Sequence, residues 1–394
     1  MEKKSKWMYI LPVMFGFFIM GFCDIVGISS DYAQKAFGWS PAMTGFIPSM
    51  VFIWFLFLGI PVGVWMNKWG RKNTVLLSMG VTVIGMVLPL IAYTAVTCMI
   101  AYAFLGIGNA ILQVSLNPLL TNVVTDKKLL TSSLTAGQVV KALSSLAGPE
   151  IVLLAVHYFG HGDTQLWYYC FPILGGITLL SALWMMVTPI PREKMDNHTA
   201  VASFGATFAL LKDRTILLLF LGIFFVVGVD VATNYISSKL MVTRFQWVAD
   251  QAKFAPQVYF LSRTVGAFLG VFLMTKISEI KYFRWNIAGC IGILVVLALA
   301  EHNAVLNLVC IGGIGFLCSC IFSIIYSMAM QARPEKANEI SGLMITAIAG
   351  GGAVTPVIGL VTTENSMVGG VFVIMACVFY LTYCAFGIKV KTSL

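Results

Sequence analysis

Four ionisable side chains stand inside stretches that otherwise read as hydrocarbon. Asp24 lies in "GFCDIVGISSDYAQ", Lys141 in "TAGQVVKALSSLAG", Asp230 in "FFVVGVDVATNYISS" and Arg263 in "YFLSRTVGAFLG". A charge at the centre of a membrane-spanning helix costs about 2.5–3.5 kcal/mol even on a lenient insertion scale. Such groups must therefore face a cavity or one another. A carboxyl in a cavity that changes sides can load and unload a proton, so Asp24 and Asp230 are candidates for proton coupling, for substrate binding, or for both. The competing reading for each is a standing ion pair with Lys141 or Arg263. Lys141 invites an anion: a resident partner, Asp24 or Asp230, or a carboxylate on the cargo. Arg263 offers a fork of donors that can clamp a carboxylate or brace Asp230.

Uncharged polar residues accompany them. Asn109, Gln113 and Asn117 recur every four residues and form a polar stripe on one helix face. Gln138 precedes Lys141 by one turn, and Asn234 and Tyr235 follow Asp230 by one turn. Amides and phenols of this kind suit the hydroxyls of a sugar. Their alternative use is helix–helix hydrogen bonding, worth about 0.6 kcal/mol on average in the membrane. The four histidines, His157, His161, His198 and His302, fall in loops or at the ends of apolar runs. No catalytic cluster and no metal-ligand spacing results, so the expectation is a protein that is not an enzyme, with no metal, no cofactor and no catalytic residue.

The elements that carry these residues follow from composition. Of 394 residues 59% are hydrophobic and 10% charged, where a soluble globular chain carries about 25% charged. Mean hydropathy is +0.90. Lipid must be the principal solvent. Apolar runs long enough to cross a ~30 Å hydrocarbon core as helix recur near 8–30, 43–66, 74–95, 98–123, 132–157, 167–188, 215–238, 254–275, 285–301, 304–330, 340–362 and 368–388. The first lacks a small-residue cleavage site and is one of many like it, so it reads as a span and not as a removed signal. The nine cysteines are scattered through these runs and read as small apolar residues.

The net charge of +9 is not a nucleic-acid footprint. Lys3, Lys4 and Lys6 precede the first span, and most other Lys and Arg fall in alternate loops on that same side. By the positive-inside rule both termini are expected in the cytoplasm. The exceptions are Lys35, Lys239, Arg244 and Lys253 on the other side, with Lys141 and Arg263 inside spans. The long polar interval after the sixth span divides the chain into a six-helix lobe at 1–188, a cytoplasmic linker at 189–213 and a second six-helix lobe at 214–394. The halves echo each other: "GFCDIVG" matches "GVDVATN", and "SLAGPEIVL" in the fifth span matches "GAVTPVIGL" in the eleventh. Parallel repeats with corresponding polar positions suggest a transporter whose site lies near the midplane.

The loop "GVWMNKWGRKNTVLL" after the second span resembles the signature loop of the major facilitator superfamily, G-x-x-x-D-[RK]-x-G-R-[RK]. Gly63, Asn67, Lys68, Gly70, Arg71 and Lys72 occupy its positions, with Asn67 where the acid usually stands. In that superfamily the motif gates conformation and does not touch substrate. "KAFGWSPAMTGFIPSMVF", "LQVSLNPLLTNVV", "SRTVGAFLG" and "SGLMITAIAGGGAVTPVIGLV" together resemble the fucose–proton symporter family over nearly the whole chain. The resemblance implies an all-α membrane protein with twelve transmembrane helices in two six-helix lobes, and secondary active uptake of a monosaccharide by alternating access. It also exposes departures. The family's proton-linked aspartate falls at Gly27, one turn past Asp24, and its span-four glutamate is Gln113; Asp230 and Lys141 stand where the family has uncharged amides.

The reading at this point is proton-coupled symport of a monosaccharide: an acidic sugar such as sialic acid or a hexuronate if the partner of Lys141 is a carboxylate on the cargo, a neutral hexose if that partner is a resident acid. The alternatives are a neutral-sugar symporter (fucose, an N-acetylhexosamine) or, further off, an exporter of small amphiphiles. The expected partners are the sugar or sugar acid, a proton or else sodium, and the lipid bilayer, with no nucleic acid. A monomer in a bacterial inner membrane is the expected assembly.

Overall fold

Every element is explained by one constraint: in hydrocarbon each backbone N–H and C=O must find its partner within the segment, which a helix does. The computed structural model describes residues 2–39, 41–124, 126–159, 161, 164–193, 204–252, 254–362 and 367–388, and no strand occurs among them. We number the long helical segments in chain order. The first, α1, covers 2–37 and changes from α-helix (Glu2–Met20) to a 3-10 stretch (Gly21–Ile25) and back (Val26–Phe37). There follow α2 (Pro41–Trp69), α3 (Arg71–Ile91), α4 (Ala95–Val123), α5 (Lys127–Leu154) and α6 (Cys170–Val187). The second half holds α7 (Arg214–Phe245), α8 (Phe254–Lys276) and α9 (Glu279–Leu299). Two interrupted segments come next: α10, over 304–332, breaks at Ser319 and Cys320, and α11, over 337–361, has a 3-10 turn at Ala347–Ala349. The last is α12 (Val368–Gly387).

Among the described residues nine helices are long and apolar enough, by length and composition, to span a bilayer. Within α1, Met8–Cys23 is a shorter apolar helix among the described residues. Several helices outrun the apolar runs that predict them. The 32 residues of α7 rise about 48 Å, well beyond a ~30 Å core, so its ends reach the headgroups. Outward faces are apolar, with Leu180, Val187 and Leu360 among the most exposed side chains, as lipid contact requires. All nine cysteines are buried and none is in a disulfide, which fits the small apolar role that their scattered positions predict.

The chain forms two compact units. The first comprises Met1–Thr125, Gly137–Thr207 and Ala337–Thr346; the second comprises Asp126–Ala136, Phe208–Lys336 and Ala347–Leu394. The opening turns of α5 thus belong to the second unit and those of α11 to the first. Both units contain close glycine contacts between helices. In the first, a Cβ at Gly106 of α4 would stand 2.7 Å from the Cα of Val51 in α2. In the second, a Cβ at Gly315 of α10 would stand 2.6 Å from the carbonyl oxygen of Tyr259 in α8. Backbones approach so closely only where no side chain intervenes, and this seats α8 and the residues it carries.

Pro118 creates a further demand. It has no N–H for the carbonyl of Val114 four residues earlier. The Ser341 hydroxyl of α11 donates to that carbonyl at 2.6 Å, and Val114 and Ser341 are both fully buried.

Candidate functional site

In the second unit Asp230 of α7 meets two residues of α8. Arg263 Nη2 lies 2.6 Å from Asp230 Oδ2, and the Tyr259 hydroxyl donates to Asp230 Oδ1 at 2.5 Å. Tyr259 and Arg263 are four residues apart, one above the other on a helix face. Tyr259 is fully buried, while the Asp230 and Arg263 side chains are 13% and 33% exposed. Each carboxylate oxygen therefore holds a donor, and the guanidinium keeps a face toward solvent. Of the readings left open for Arg263, the structure adopts the brace. Asn234 and Tyr235 lie one turn further along α7. Tyr235 is engaged by Lys239, whose ammonium bonds its hydroxyl and lies 3.8 Å from its ring centroid.

In the first unit the stripe on α4 is buried: Asn109, Gln113 and Asn117 are 4%, 6% and 1% exposed. Their amides form a chain. Asn109 Nδ2 donates to the Met20 carbonyl at 2.9 Å, Gln113 Nε2 to Asn109 Oδ1 at 3.0 Å, and Asn117 Nδ2 to the Gln113 carbonyl at 2.9 Å. Met20 is the last residue before the 3-10 stretch that holds Asp24, so the stripe ties α4 to that irregular turn. The Asp24 side chain itself lies outside the described residues. Asn117 Oδ1 is buried with no partner among the described residues, an acceptor open to a hydroxyl.

Lys141 approaches the same turn. A Cβ on Gly21 would stand 2.5 Å from the Lys141 carbonyl oxygen, so α1 and α5 cross there. The Lys141 and Gln138 side chains are half-buried. The Lys141 carbonyl accepts from the Ser145 hydroxyl at 3.0 Å, and the Lys141 ammonium has no ion pair among the described residues.

The signature loop is a buried network, not a row of surface anchors. Arg71, 8% exposed, donates from Nε to Asn338 Oδ1 at 2.7 Å. From Nη1 it donates to the Pro118 carbonyl, Thr121 Oγ1 and Asn122 Oδ1 at 3.1, 2.8 and 2.7 Å. The Arg71 N–H and Asn122 Nδ2 donate to the two Glu193 carboxylate oxygens at 2.7 and 2.9 Å. Asn338 Nδ2 in turn donates to Asn67 Oδ1 at 2.7 Å. Asn67 therefore serves as a neutral acceptor in the acid's place. Gly63 is required here, since a Cβ on it would stand 2.7 Å from the Asn338 carbonyl oxygen. Gly70 turns the chain at φ 80°, and Lys72 donates to the carbonyls of Met186 and Thr188 at 3.0 and 2.7 Å. Lys68, in the last turn of α2, remains an exposed cation.

Outside the spans, Asp213 caps α7 by accepting from the Thr215 N–H at 2.9 Å. The hydrogen bond from Arg333 holds its carboxyl below the usual carboxylate range, with Nη2 at 2.9 Å. Sequence reasoning passed over Tyr259, Asn338, Ser341, Asn122 and Glu193. Tyr259 alone carried a local signal, its four-residue spacing from Arg263.

Comparison with known proteins fits this architecture. The profile of the Major Facilitator Superfamily matches residues 10–356. A Helicobacter pylori protein named as a putative glucose/galactose transporter is 26% identical over 98% of both chains. A Brucella abortus glucose/galactose transporter is 22% identical, over 87% of this chain and 84% of its own. The fold superposes on the E. coli fucose:proton symporter with TM-score 0.81 at 18% identity, covering 97% and 98% of the two chains. It superposes on the proton:xylose symporter XylE with TM-score 0.75 at 11% identity, covering 97% and 96%. The chain belongs to the major facilitator superfamily and is a multi-pass membrane transporter, not an enzyme.

Proposed function

We propose that the protein takes up a neutral monosaccharide, a hexose of the glucose or galactose type, together with a proton. The observation that carries this reading is the closed set in the second unit: Asp230 and Arg263 neutralise each other, and Tyr259 occupies the remaining carboxylate oxygen. An arginine already committed to a resident acid offers no counter-charge to a sugar acid. The two relatives named for glucose and galactose support a neutral cargo.

In this reading the hydroxyls of the sugar are recognised by Asn109, Gln113, Asn117, Gln138, Asn234 and Tyr235, with the open Asn117 oxygen as one acceptor. Asp24 and Asp230 carry the proton, and Lys141 and Arg263 set the charge they work against. The site is exposed alternately to the two sides of the membrane, and the polar cluster around Arg71 holds one of the two states. We place both termini in the cytoplasm of a bacterial cell, with six-helix lobes at 1–188 and 214–394.

A second reading rests on Lys141. Its ammonium has no ion pair among the described residues, and a sugar carboxylate would supply one. The two readings separate in proteoliposomes given labelled glucose, galactose, fucose, sialic acid and glucuronate, with and without an inward pH gradient. The proposal expects a hexose to accumulate in a gradient-dependent manner while both acids stay at background. Uptake of an acid in preference to every hexose would refute it.

A further inference from the structure

The carboxyl of Glu279 has no part in the site described above. It stands at the first turn of α9, in the second unit, on a helix end and half-buried. The set around it comes from two other helices. The Thr131 hydroxyl, on the opening turns of α5, bonds Glu279 Oε2. Gln331, near the end of α10, joins the set through Ser327. Thr131 Oγ1 lies 2.6 Å from Ser327 Oγ, and Gln331 Nε2 donates to Ser327 Oγ at 2.9 Å. Ser132, beside Thr131, donates to the Val271 carbonyl of α8 at 2.7 Å, which fixes the register of the α5 turn. Thr131, Ser132 and Ser327 are 3%, 5% and 0% exposed.

No cation completes this set among the described residues. The charged groups on the elements around it are Lys276 at the end of α8, Lys281 and Arg284 on α9, the latter donating to the Ala385 carbonyl, Asp126 before α5, and Arg333, Glu335 and Lys336 beyond α10. Lys276, Lys281 and Asp126 are exposed, and Arg333 is bonded to Asp213 and Glu335. The side chains of Lys127 and Lys128 lie outside the described residues. The composition of the set matters. A guanidinium can only donate, so it favours the ionised form of a carboxyl group and cannot accept from the protonated one. A hydroxyl both donates and accepts. With Glu279 ionised, Ser327 donates to Thr131 and Thr131 donates to the carboxylate. With Glu279 protonated, its O–H donates to Thr131 and Thr131 donates to Ser327. The same heavy-atom positions serve both forms, and only the direction of the hydrogen bonds reverses.

We propose that Glu279 is a proton-binding site distinct from Asp230, with Thr131 and Ser327 as a reversible hydroxyl wire that accommodates the group in either charge state. Asp230, held by a guanidinium, is built to stay charged until that pair is broken. Glu279 is built to exchange a proton in place. In a proton-coupled carrier, such a group at a helix end is a relay between the interior and the aqueous phase.

The test is infrared difference spectroscopy across a pH titration of the full-length protein in nanodiscs, following the carbonyl stretch of protonated carboxyl groups. It needs no sugar, so it stands apart from the transport assay. The wild type and Asp230→Asn should share a titrating carboxyl band that Glu279→Gln lacks. Thr131→Val, which removes the bonded hydroxyl and leaves the acid, should keep the band but displace it. Spectra of Glu279→Gln that superimpose on the wild type would overturn the proposal. So would a Glu279-dependent band unmoved in Thr131→Val.

Discussion

Ser341→Ala removes one hydroxyl and tests whether Pro118 sets the demand for it. In α4 the Val114 carbonyl loses its helical donor because residue 118 is proline, and Ser341 replaces that donor at 2.6 Å. Two magnitudes compete. Leaving a buried carbonyl unsatisfied costs about 1–3 kcal/mol in soluble proteins. Side-chain hydrogen bonds in membrane helices average only about 0.6 kcal/mol, because the unfolded state in lipid also finds partners. Here the unsatisfied group is a backbone carbonyl with no N–H to fall back on, and both residues are fully buried. We expect Ser341→Ala to cost about 1–2 kcal/mol. In a Pro118→Ala background residue 118 regains an N–H for Val114. The same Ser341→Ala change should then cost a few tenths of a kcal/mol, giving a coupling energy of about 1 kcal/mol. Reversible unfolding in mixed micelles reads all four corners of the cycle. Equal costs of Ser341→Ala in the two backgrounds would refute the assignment of the hydroxyl to the proline-freed carbonyl.

Other consequences follow from the same geometry. Arg263→Gln removes the guanidinium partner of the Asp230 carboxylate and should destabilise by roughly 2–4 kcal/mol, while Asp230→Asn with Arg263→Gln should cost less than that single change in the same unfolding assay. Asn67→Asp supplies a charged acceptor for Asn338 Nδ2 beside Arg71 and should stabilise the network by about 1 kcal/mol, seen as later thermal unfolding; an earlier transition would count against the neutral-acceptor reading. The Asp213 carboxyl is held low by Arg333, so its contribution is present above the ordinary aspartate value of about 3.9. It is lost as pH falls through the lowered folded value. The difference in stability between wild type and Asp213→Asn should shrink toward zero across that acidic window, and a difference that grows on acidification would contradict the sign.

Much of this was legible in the sequence because lipid imposes strong local rules. Apolar runs placed the helices, and the price of an unpaired charge singled out Asp230 and Arg263 before any contact was known. Two kinds of feature were not legible. Helix interruptions at Gly21–Ile25 and Ala347–Ala349 change backbone geometry without changing hydropathy, so the runs there read as ordinary spans. Partnerships across more than two hundred positions, Asn67 with Asn338 and Val114 with Ser341, leave no periodic trace: Asn67, Asn338 and Ser341 look like any other small polar residues near a span end, and Val114 takes part only through its backbone carbonyl. The acidic-sugar reading arose from Lys141 viewed alone. It weakened once Arg263 proved to be committed to Asp230 and the relatives proved to be named for neutral hexoses.

The most direct test of neutral-sugar symport is proton movement itself. Proteoliposomes loaded with a pH-sensitive dye and held without an imposed gradient would receive glucose or galactose from outside. A hexose carried with a proton must acidify the lumen, and Asp230→Asn should blunt that signal. Acidification by glucuronate with none from either hexose, or hexose entry with no change in luminal pH, would contradict the account.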